Sequence, residues 1–262
     1  MATASVNGAE IAYEDTGGDG PPVILAHGFL MDRTMFDPQV EALQGTHRVI
    51  TWDERGFGDT EYDGGPFTYW DSAQDCLGLL DRLGIERAVV GGMSQGGFIS
   101  LRVALLAPER VRGLILLNTQ AGTEDPAVIP LYQGMIDTWV IDGPTDDLAA
   151  TTAGIILTEP HLSEAWIAKW RAWPKESLAQ PGTTLLTRES IWDRLGEITA
   201  PALVVHGTAD AAIPLEHAER LVADLPHAEP LTVVDGGTHA TNLTHPDQVN
   251  AAIERFLRSL PA

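Results

Sequence analysis

The sequence is poor in cysteine and in long apolar runs. Its 262 residues include one cysteine, Cys76, so the chain cannot form an internal disulfide, and this usage fits a reducing compartment. No apolar run approaches the roughly 20 residues that span a bilayer. The N-terminal segment carries Glu10, Asp15 and Asp19 where a signal peptide has an apolar stretch. These absences predict a cytoplasmic protein with no membrane partner.

Positive charge is also scarce. Lys and Arg number 16 against 37 Asp and Glu, which gives a formal net charge of −21. A surface of that sign repels phosphates, so we expect no nucleic-acid partner. The sequence also lacks histidine, cysteine and glutamate clusters with metal-ligand spacing, and it lacks Gly-rich nucleotide loops. We therefore expect no metal and no other cofactor.

Short apolar runs recur along the chain and predict the strands of a buried sheet. They lie at residues 23–26, 48–52, 88–90, 111–117, 202–205 and 231–234. Helical spacing fills most of the intervals, for example at residues 72–83 and 95–107, and Asn7-Gly8 predicts an opening antiparallel hairpin. Strands that alternate with helices predict an α/β fold with a mostly parallel sheet covered by helices on both faces.

The alternation stops between residues 119 and 195, where the pattern is helical and lacks a buried strand. We therefore expect a helical insertion at residues 119–195 within a core formed by residues 1–118 and 196–262. Trp166, Trp170 and Trp173 have the spacing i, i+4, i+7 and would share one face of a helix. That face either packs the insertion onto the core or contacts a ligand.

A G-x-S-x-G motif stands at residues 92–96, directly after a predicted strand and before a predicted helix. A serine hydroxyl is a weak nucleophile, and a sharp strand-to-helix turn helps by exposing it to a base. The two glycines leave room around such a turn. The N–H groups at the start of the following helix point toward charge that develops beside the serine. This context predicts that Ser94 is a nucleophile.

A serine nucleophile needs a base, and the base needs an acid that orients it. His239 lies in a Gly-rich loop after the last predicted strand, and Asp210 follows the strand before it. We expect His239 to be the base and Asp210 the acid, with Asp235 as the competing acid. His206 stands at a strand end, where we expect a packed core residue.

Backbone donors for a developing oxyanion are predicted in a second loop. His27-Gly28-Phe29-Leu30 follows the strand at residues 23–26, and Gly28 lets the backbone approach a ligand closely. We expect the N–H groups of Phe29 and Gln95 to be the donors. His27 is expected to brace the loop by hydrogen bonding.

Together these motifs resemble those of the α/β-hydrolase superfamily over nearly the whole chain. The shared motifs are HGF at residues 27–29, D-x-R-G-x-G at 53–58, the elbow at 92–96, G-x-x-D-x-x-x-P at 207–214 and the His239 loop. The resemblance implies an eight-stranded, mostly parallel sheet and an insertion that caps the active site. Within the superfamily the chain is most similar to small bacterial esterases, enol-lactonases and cofactor-free haloperoxidases or perhydrolases.

Departures from other branches of the superfamily narrow the chemistry. Ser94 stands where haloalkane dehalogenases and epoxide hydrolases have aspartate, and the HGGG loop of the hormone-sensitive-lipase branch is missing. Ala240 stands where carbon–carbon bond hydrolases usually have an aromatic residue. These differences favour ester or lactone chemistry.

We therefore expect a serine hydrolase that cleaves a small carboxylic ester or lactone through an acyl-enzyme. Carbon–carbon bond hydrolysis, perhydrolase or haloperoxidase chemistry with the same triad, and a hydrophobic-ligand receptor on the same fold remain alternatives. The expected pocket residues are Leu30, Trp139, Trp166, Trp170 and Ile213. The expected partner is a small molecule, and the oligomeric state stays open, a homodimer included.

Overall fold

Eight β-strands form a single sheet in the computed structural model, which describes residues 1–261. The strands are β1 (Ala2–Val6), β2 (Ala9–Asp15), β3 (Pro22–Ala26), β4 (Arg48–Trp52), β5 (Ala88–Met93), β6 (Val111–Leu117), β7 (Ala202–Gly207) and β8 (Thr232–Val234). Their spatial order is β1-β2-β4-β3-β5-β6-β7-β8. The β1–β2 and β2–β4 pairs are antiparallel, and the other pairs are parallel. The predicted eight-stranded, mostly parallel sheet is therefore confirmed.

Ten α-helices accompany the sheet within residues 1–261. They are α1 (Asp37–Leu43), α2 (Tyr69–Arg82), α3 (Gln95–Leu106), α4 (Ile129–Asp142), α5 (Asp146–Ile156), α6 (Pro160–Ala172), α7 (Ala179–Thr187), α8 (Leu215–Asp224), α9 (Thr241–Thr244) and α10 (Pro246–Ser259). Four of them, α4 to α7, lie between β6 and β7 along the chain.

The chain opens with the predicted hairpin. Strands β1 and β2 pair from Val6–Ala9 outward, and the two turn residues between them are Asn7 with φ 46° and Gly8 with φ 82°. Two successive left-handed residues match the right-handed twist of the flanking strands, which is why Asn-Gly suits this position.

The sheet is buried on both faces because successive strand residues point to opposite sides. On β3, Val23 and Leu25 belong to one apolar cluster, whereas Ile24 and Ala26 belong to the other. Helices α2, α3 and α8 supply side chains to the cluster that contains Ile24, and α1 and α10 supply them to the opposite one. Because helices cover both faces of the sheet, a site can form in the loops at the carboxyl ends of the parallel strands.

Two tryptophans, one within α6 and one just after it, attach the segment formed by α4 to α7 to the loops of the sheet. Trp170 is fully buried, and its indole N–H donates to the carbonyl of Leu30 at 2.6 Å. Its ring also meets Trp139 edge to face at 5.8 Å. Helix α6 ends one residue before Trp173, whose ring contacts Phe57 at 6.2 Å. The stripe therefore packs the helical segment against the sheet loops.

None of the helices within residues 1–261 combines the length and the apolar character that crossing a membrane requires.

Candidate active site

Ser94 occupies the turn between β5 and α3 in a conformation that few residues adopt. Its φ is 52° and its ψ is −112°, so the backbone reverses direction within one residue. The Ser94 N–H donates to the carbonyl of Leu117 at 2.9 Å, which ties the turn to the end of β6. A Cβ at Gly92 or Gly96 would collide with the carbonyl oxygen of Ala26. Only glycine at these two positions lets β3, β5 and α3 approach so closely.

His239 and Asp210 form a direct pair. The Nδ1 atom of His239 lies 2.9 Å from Oδ2 and 3.0 Å from Oδ1 of Asp210. The two residues come from the loops that follow β8 and β7, so neighbouring strands bring them together. Because Asp210 occupies Nδ1, the other ring nitrogen, Nε2, is left to accept a proton.

Several neutral donors surround the Asp210 carboxylate. The N–H groups of Ala212 and Ile213 donate to Oδ1 at 2.8 and 2.9 Å, and the Asn118 amide donates to Oδ2 at 2.9 Å. Burial alone would raise the pKa of Asp210, but attraction to His239 and these hydrogen bonds outweigh it and lower the pKa to about 2. Asp210 is therefore held as an anion beneath the imidazole.

Asn118 is a residue of the site that no sequence motif indicated. It has a left-handed φ of 47° directly after β6, and its amide also donates to the carbonyl of Thr238 at 3.1 Å. It therefore joins the Asp210 loop to the His239 loop. Asn118 follows a buried strand at its carboxyl end, as Ser94 and Asp210 do. That position could have identified it as a candidate residue of the site.

His206 is buried, as its position at a strand end predicted. Its Nε2 atom lies 2.9 Å from the carbonyl oxygen of Ile213 and 3.4 Å from Oδ2 of Asp210. Burial lowers the pKa of His206, which favours the neutral ring. The competing acid, Asp235, instead accepts a hydrogen bond from Thr208 at 3.2 Å.

Ser94 and His239 line the same cavity. Within residues 1–261 the structure has no hydrogen bond between the Ser94 hydroxyl and the imidazole. Such contacts are often long in unliganded enzymes and shorten when substrate binds. The cavity thus brings together a serine on a strained turn and a histidine that is paired with a carboxylate.

Two backbone N–H groups near this cavity have no acceptor among residues 1–261. They belong to Phe29, in the loop after β3, and Gln95, the first residue of α3. The Gln95 side chain accepts a hydrogen bond from the Tyr69 hydroxyl at 3.1 Å, which fixes that end of the helix. Free N–H groups at a helix start carry partial positive charge and suit a developing anion.

His27 braces the loop that carries Phe29. Its Nε2 accepts a hydrogen bond from the Glu54 N–H at 3.0 Å, so Nδ1 carries the proton and donates to the carbonyl of Gly28 at 2.8 Å. Burial lowers the pKa of His27, which again favours the neutral ring. The predicted bracing role of His27 is confirmed by these two bonds.

The cavity has a volume of about 100 Å³ and mostly apolar walls. Of the predicted pocket residues, Leu30, Trp139 and Ile213 line it. Trp166 and Trp170 do not, and that expectation is corrected. Both are buried, and they pack α6 inside the apolar cluster. A helical stripe shows which residues share a face but not which surface that face meets.

Most residues of the cavity wall are not predicted by the sequence motifs. The additional lining residues are Phe98, Glu124, Tyr132, Met135, Ile136, Leu148, Thr152, Ile155, Ile156, Leu178, Leu185 and Ala212. The spacing along a helix indicates only which of these residues share a face. On α4, Tyr132, Met135, Ile136 and Trp139 recur at i, i+3, i+4 and i+7, as one face of a helix should.

Comparisons with known proteins agree with this architecture. A family model described as alpha/beta hydrolase fold matches residues 21–246. A protein of Azorhizobium caulinodans, provisionally named carbamate hydrolase RutD, is 32% identical over 98% of both chains. The structure of a thermophilic esterase from Thermogutta terrifontis is 31% identical with a TM-score of 0.88, covering 98% of this chain and 97% of that one. The enol-lactonase of Burkholderia xenovorans LB400 is 27% identical with a TM-score of 0.90, covering 98% of this chain and 100% of that one.

Proposed function

Because the chain belongs to the α/β-hydrolase family, we propose that it is a serine hydrolase that cleaves a small carboxylic ester or lactone. The observation that carries the proposal is the meeting of Ser94 and the His239–Asp210 pair at one cavity. The esterase and the enol-lactonase that resemble this chain support the choice of substrate class.

In the first half of the proposed reaction, the Ser94 hydroxyl oxygen attacks the substrate carbonyl carbon while Nε2 of His239 takes the hydroxyl proton. The carbonyl oxygen becomes an oxyanion, which accepts hydrogen bonds from the N–H groups of Phe29 and Gln95. When the tetrahedral intermediate collapses, the bond to the leaving oxygen breaks. The protonated imidazole returns its proton to that alkoxide, and the acyl group stays on Ser94.

In the second half, water replaces the alcohol. His239 removes a proton from the water, and the resulting hydroxide attacks the acyl-enzyme carbonyl. As the second tetrahedral intermediate collapses, the protonated imidazole returns its proton to the Ser94 oxygen, which restores the hydroxyl and releases the carboxylic acid. Asp210 keeps Nδ1 of His239 protonated throughout and stabilises the imidazolium that forms in each half.

The helical segment at residues 119–195 is proposed to act as a cap on a core of residues 1–118 and 196–262. The cavity walls support this, because Trp139 and Leu148 come from the helical segment whereas Ser94, Phe29 and His239 come from the core. A substrate in the cavity would therefore be enclosed between the two parts. A cytoplasmic location is part of the proposal and is supported by the single, buried Cys76.

The size of the cavity limits the acyl group. A cavity of about 150 Å³ accepts benzene, and this cavity of about 100 Å³ is somewhat smaller. We therefore propose short acyl chains, of fewer than about six carbon atoms by that comparison, as the preferred substrates. Apolar walls suit the alkyl part of such a group.

The proposal is tested by steady-state hydrolysis of chromogenic esters with acyl chains from acetyl to decanoyl, together with several lactones. We expect multiple turnover with an optimum at short chains, and a loss of about a thousandfold or more in kcat for Ser94→Ala. Ser163→Ala is the matched control, because Ser163 does not line the cavity.

Retained activity in Ser94→Ala would overturn the assignment of the nucleophile. Absence of turnover on every ester and lactone would overturn the proposed reaction. Ligand-dependent melting would then test the two alternatives, carbon–carbon bond hydrolysis and ligand binding.

A further inference from the structure

Thr152 on α5 has an unusual place in the cavity wall. It lines the cavity together with Leu148, Ile155 and Ile156, at the spacing of one helix face. The residue is 3% exposed. Its hydroxyl has no hydrogen-bond partner among residues 1–261. A polar group is thus buried at the wall of a site without any group to satisfy it.

Threonines in neighbouring helices do not share this property. The hydroxyl groups of Thr138, Thr183 and Thr187 each donate to the carbonyl four residues earlier, at 2.8, 3.0 and 2.7 Å. That bond is the usual way in which a helical threonine satisfies its hydroxyl. Thr152 makes no such bond with Leu148, so its hydroxyl is left for another partner.

The other polar residues of the cavity wall have partners or reach solvent. Glu124 accepts a hydrogen bond from Arg188 at 2.8 Å, and Tyr132 is partly exposed. Ser94 and His239 belong to the proposed catalytic set. Thr152 is therefore the lining residue, within the described chain, whose buried hydroxyl lacks both a partner and a catalytic assignment.

Helix α5 places Thr152 close to the proposed reaction centre. The Ile156 carbonyl accepts hydrogen bonds from the N–H of Ala240 at 2.9 Å and from the Thr238 hydroxyl at 3.2 Å, on either side of His239. Thr152 is four residues earlier, about 6 Å along the helix axis at 1.5 Å per residue. Thr152, Ser94 and His239 also line the same cavity, so a substrate that fills it can contact all three residues.

We propose that Thr152 determines specificity by hydrogen bonding to an oxygen atom in the part of the substrate that fills the cavity. The favoured substrates would be esters or lactones whose acyl group carries a hydroxyl, ether or ketone oxygen within a few bonds of the scissile carbonyl. Plain alkyl acyl groups of the same size would leave the hydroxyl unsatisfied and react more slowly. The inference rests on the proposed hydrolysis and names its substrate class.

The test uses p-nitrophenyl esters in pairs that match in shape. One pair is 3-hydroxybutanoyl and 3-methylbutanoyl, and the other is methoxyacetyl and butanoyl. The ratio of kcat/KM within each pair is measured for the wild type, Thr152→Val, Thr152→Ser and Thr151→Val. Because intrinsic ester reactivity is the same for every variant, a change in the ratio reports recognition by the protein.

We expect Thr152→Val to reduce the preference for the oxygenated ester, measured as its kcat/KM divided by that of the alkyl ester. The reduction should be about tenfold in at least one pair, which is the magnitude of one hydrogen bond. Thr152→Ser keeps the hydroxyl and should retain the preference. Thr151→Val, at the adjacent exposed position, should keep the wild-type ratio. Melting temperatures of all variants are measured alongside.

Equal ratios in the wild type and in Thr152→Val for both pairs would overturn the inference while leaving the proposed function intact. A ratio that falls equally in Thr151→Val would overturn it too. Absence of Ser94-dependent turnover on every ester would overturn the proposed function and this inference with it.

Discussion

Asp210 is ionised because its surroundings compensate the carboxylate at each oxygen. Two backbone N–H groups hold Oδ1, and Asn118 and His239 hold Oδ2. With a pKa of about 2, the folded-state value lies below that of an unfolded chain. This carboxylate therefore contributes stability at neutral pH that is lost as the pH falls toward about 2. Asp235 has no comparable set of donors.

Replacement of Asp210 separates the two candidate acids. Asp210→Asn should lower kcat by about 10⁴-fold, because an amide neither fixes the reactive tautomer nor stabilises the imidazolium. Asp235→Asn should change kcat by less than about twofold, as expected for a residue outside the proposed relay. Ester hydrolysis at neutral pH measures both. The opposite order of effects would identify Asp235 as the acid.

Glu54 is a buried acid that the proposed reaction does not use. It accepts a hydrogen bond from the Ser72 hydroxyl at 2.5 Å, and its other oxygen has no partner in the described chain. Burial raises the pKa of Glu54 to about 8 from an ordinary value of 4.5. Between these values the unfolded chain releases a proton that the folded chain keeps, so Glu54 lowers the free energy of unfolding as the pH rises.

Glu54→Gln removes this pH dependence. Glutamine matches the protonated acid in shape, so the variant should gain a few kcal/mol relative to the wild type at pH 8, and much less at pH 5. Urea unfolding of both proteins at several pH values checks this. Glu86→Gln, at an exposed position, is the control and should show no such trend. A stability difference that is constant with pH would mean that Glu54 is ionised in the folded state.

At the scale of elements, helix α3 approaches the sheet through Gly96. A Cβ there would collide with the Ala26 carbonyl, whereas a Cβ at Gly154 on α5 has no atom within 4 Å. The same substitution therefore has opposite consequences in the two helices. Close approach of α3 is what holds the Ser94 turn against β3.

Gly96→Ala should destabilise the protein by about 1–3 kcal/mol through overpacking and should lower kcat by displacing Ser94. Gly154→Ala should stabilise it by about 0.5–1 kcal/mol, because alanine loses less backbone entropy in a helix. Denaturant unfolding of both variants gives the comparison. If both substitutions stabilise, the close contact between α3 and β3 does not exist in solution.

Strand positions and the loops after them were predictable from the sequence to a large extent. Buried parallel strands read as short apolar runs, and β4 and β6 begin and end at the predicted residues. Their carboxyl ends share one edge, so the proximity of Asp210 and His239 could also be anticipated. The residues of the cavity wall could not be predicted, because helix spacing does not show which surface each face meets. Trp170, for example, was expected to line the pocket, but its indole N–H donates to the carbonyl of Leu30.

At the scale of the whole molecule, the charge of −21 creates a field that repels anions. Glu124 adds a carboxylate to the cavity wall itself, although Arg188 pairs with it at 2.8 Å. The range of this field depends on salt, because the Debye length shrinks from about 30 Å at 0.01 M to about 8 Å at 0.15 M. Neutral substrates should be insensitive to it.

The salt dependence of kcat/KM should therefore differ between an anionic and a neutral substrate of similar size. For the p-nitrophenyl monoester of succinic acid, whose acyl group carries a carboxylate, kcat/KM should rise several-fold between 0.01 and 0.15 M salt. For p-nitrophenyl butanoate it should stay constant. Parallel initial-rate measurements at both salt concentrations make the comparison. An identical response of the two esters would show that the net charge does not reach the site.

The proposed mechanism requires Ser94 to carry the acyl group during turnover. Mass spectrometry of protein that is mixed with a p-nitrophenyl ester and quenched in acid within the first turnover detects such an intermediate. We expect one added acyl group, located on the peptide that contains Ser94 and absent from Ser94→Ala. An adduct on another residue, or turnover by Ser94→Ala without any adduct, would contradict it.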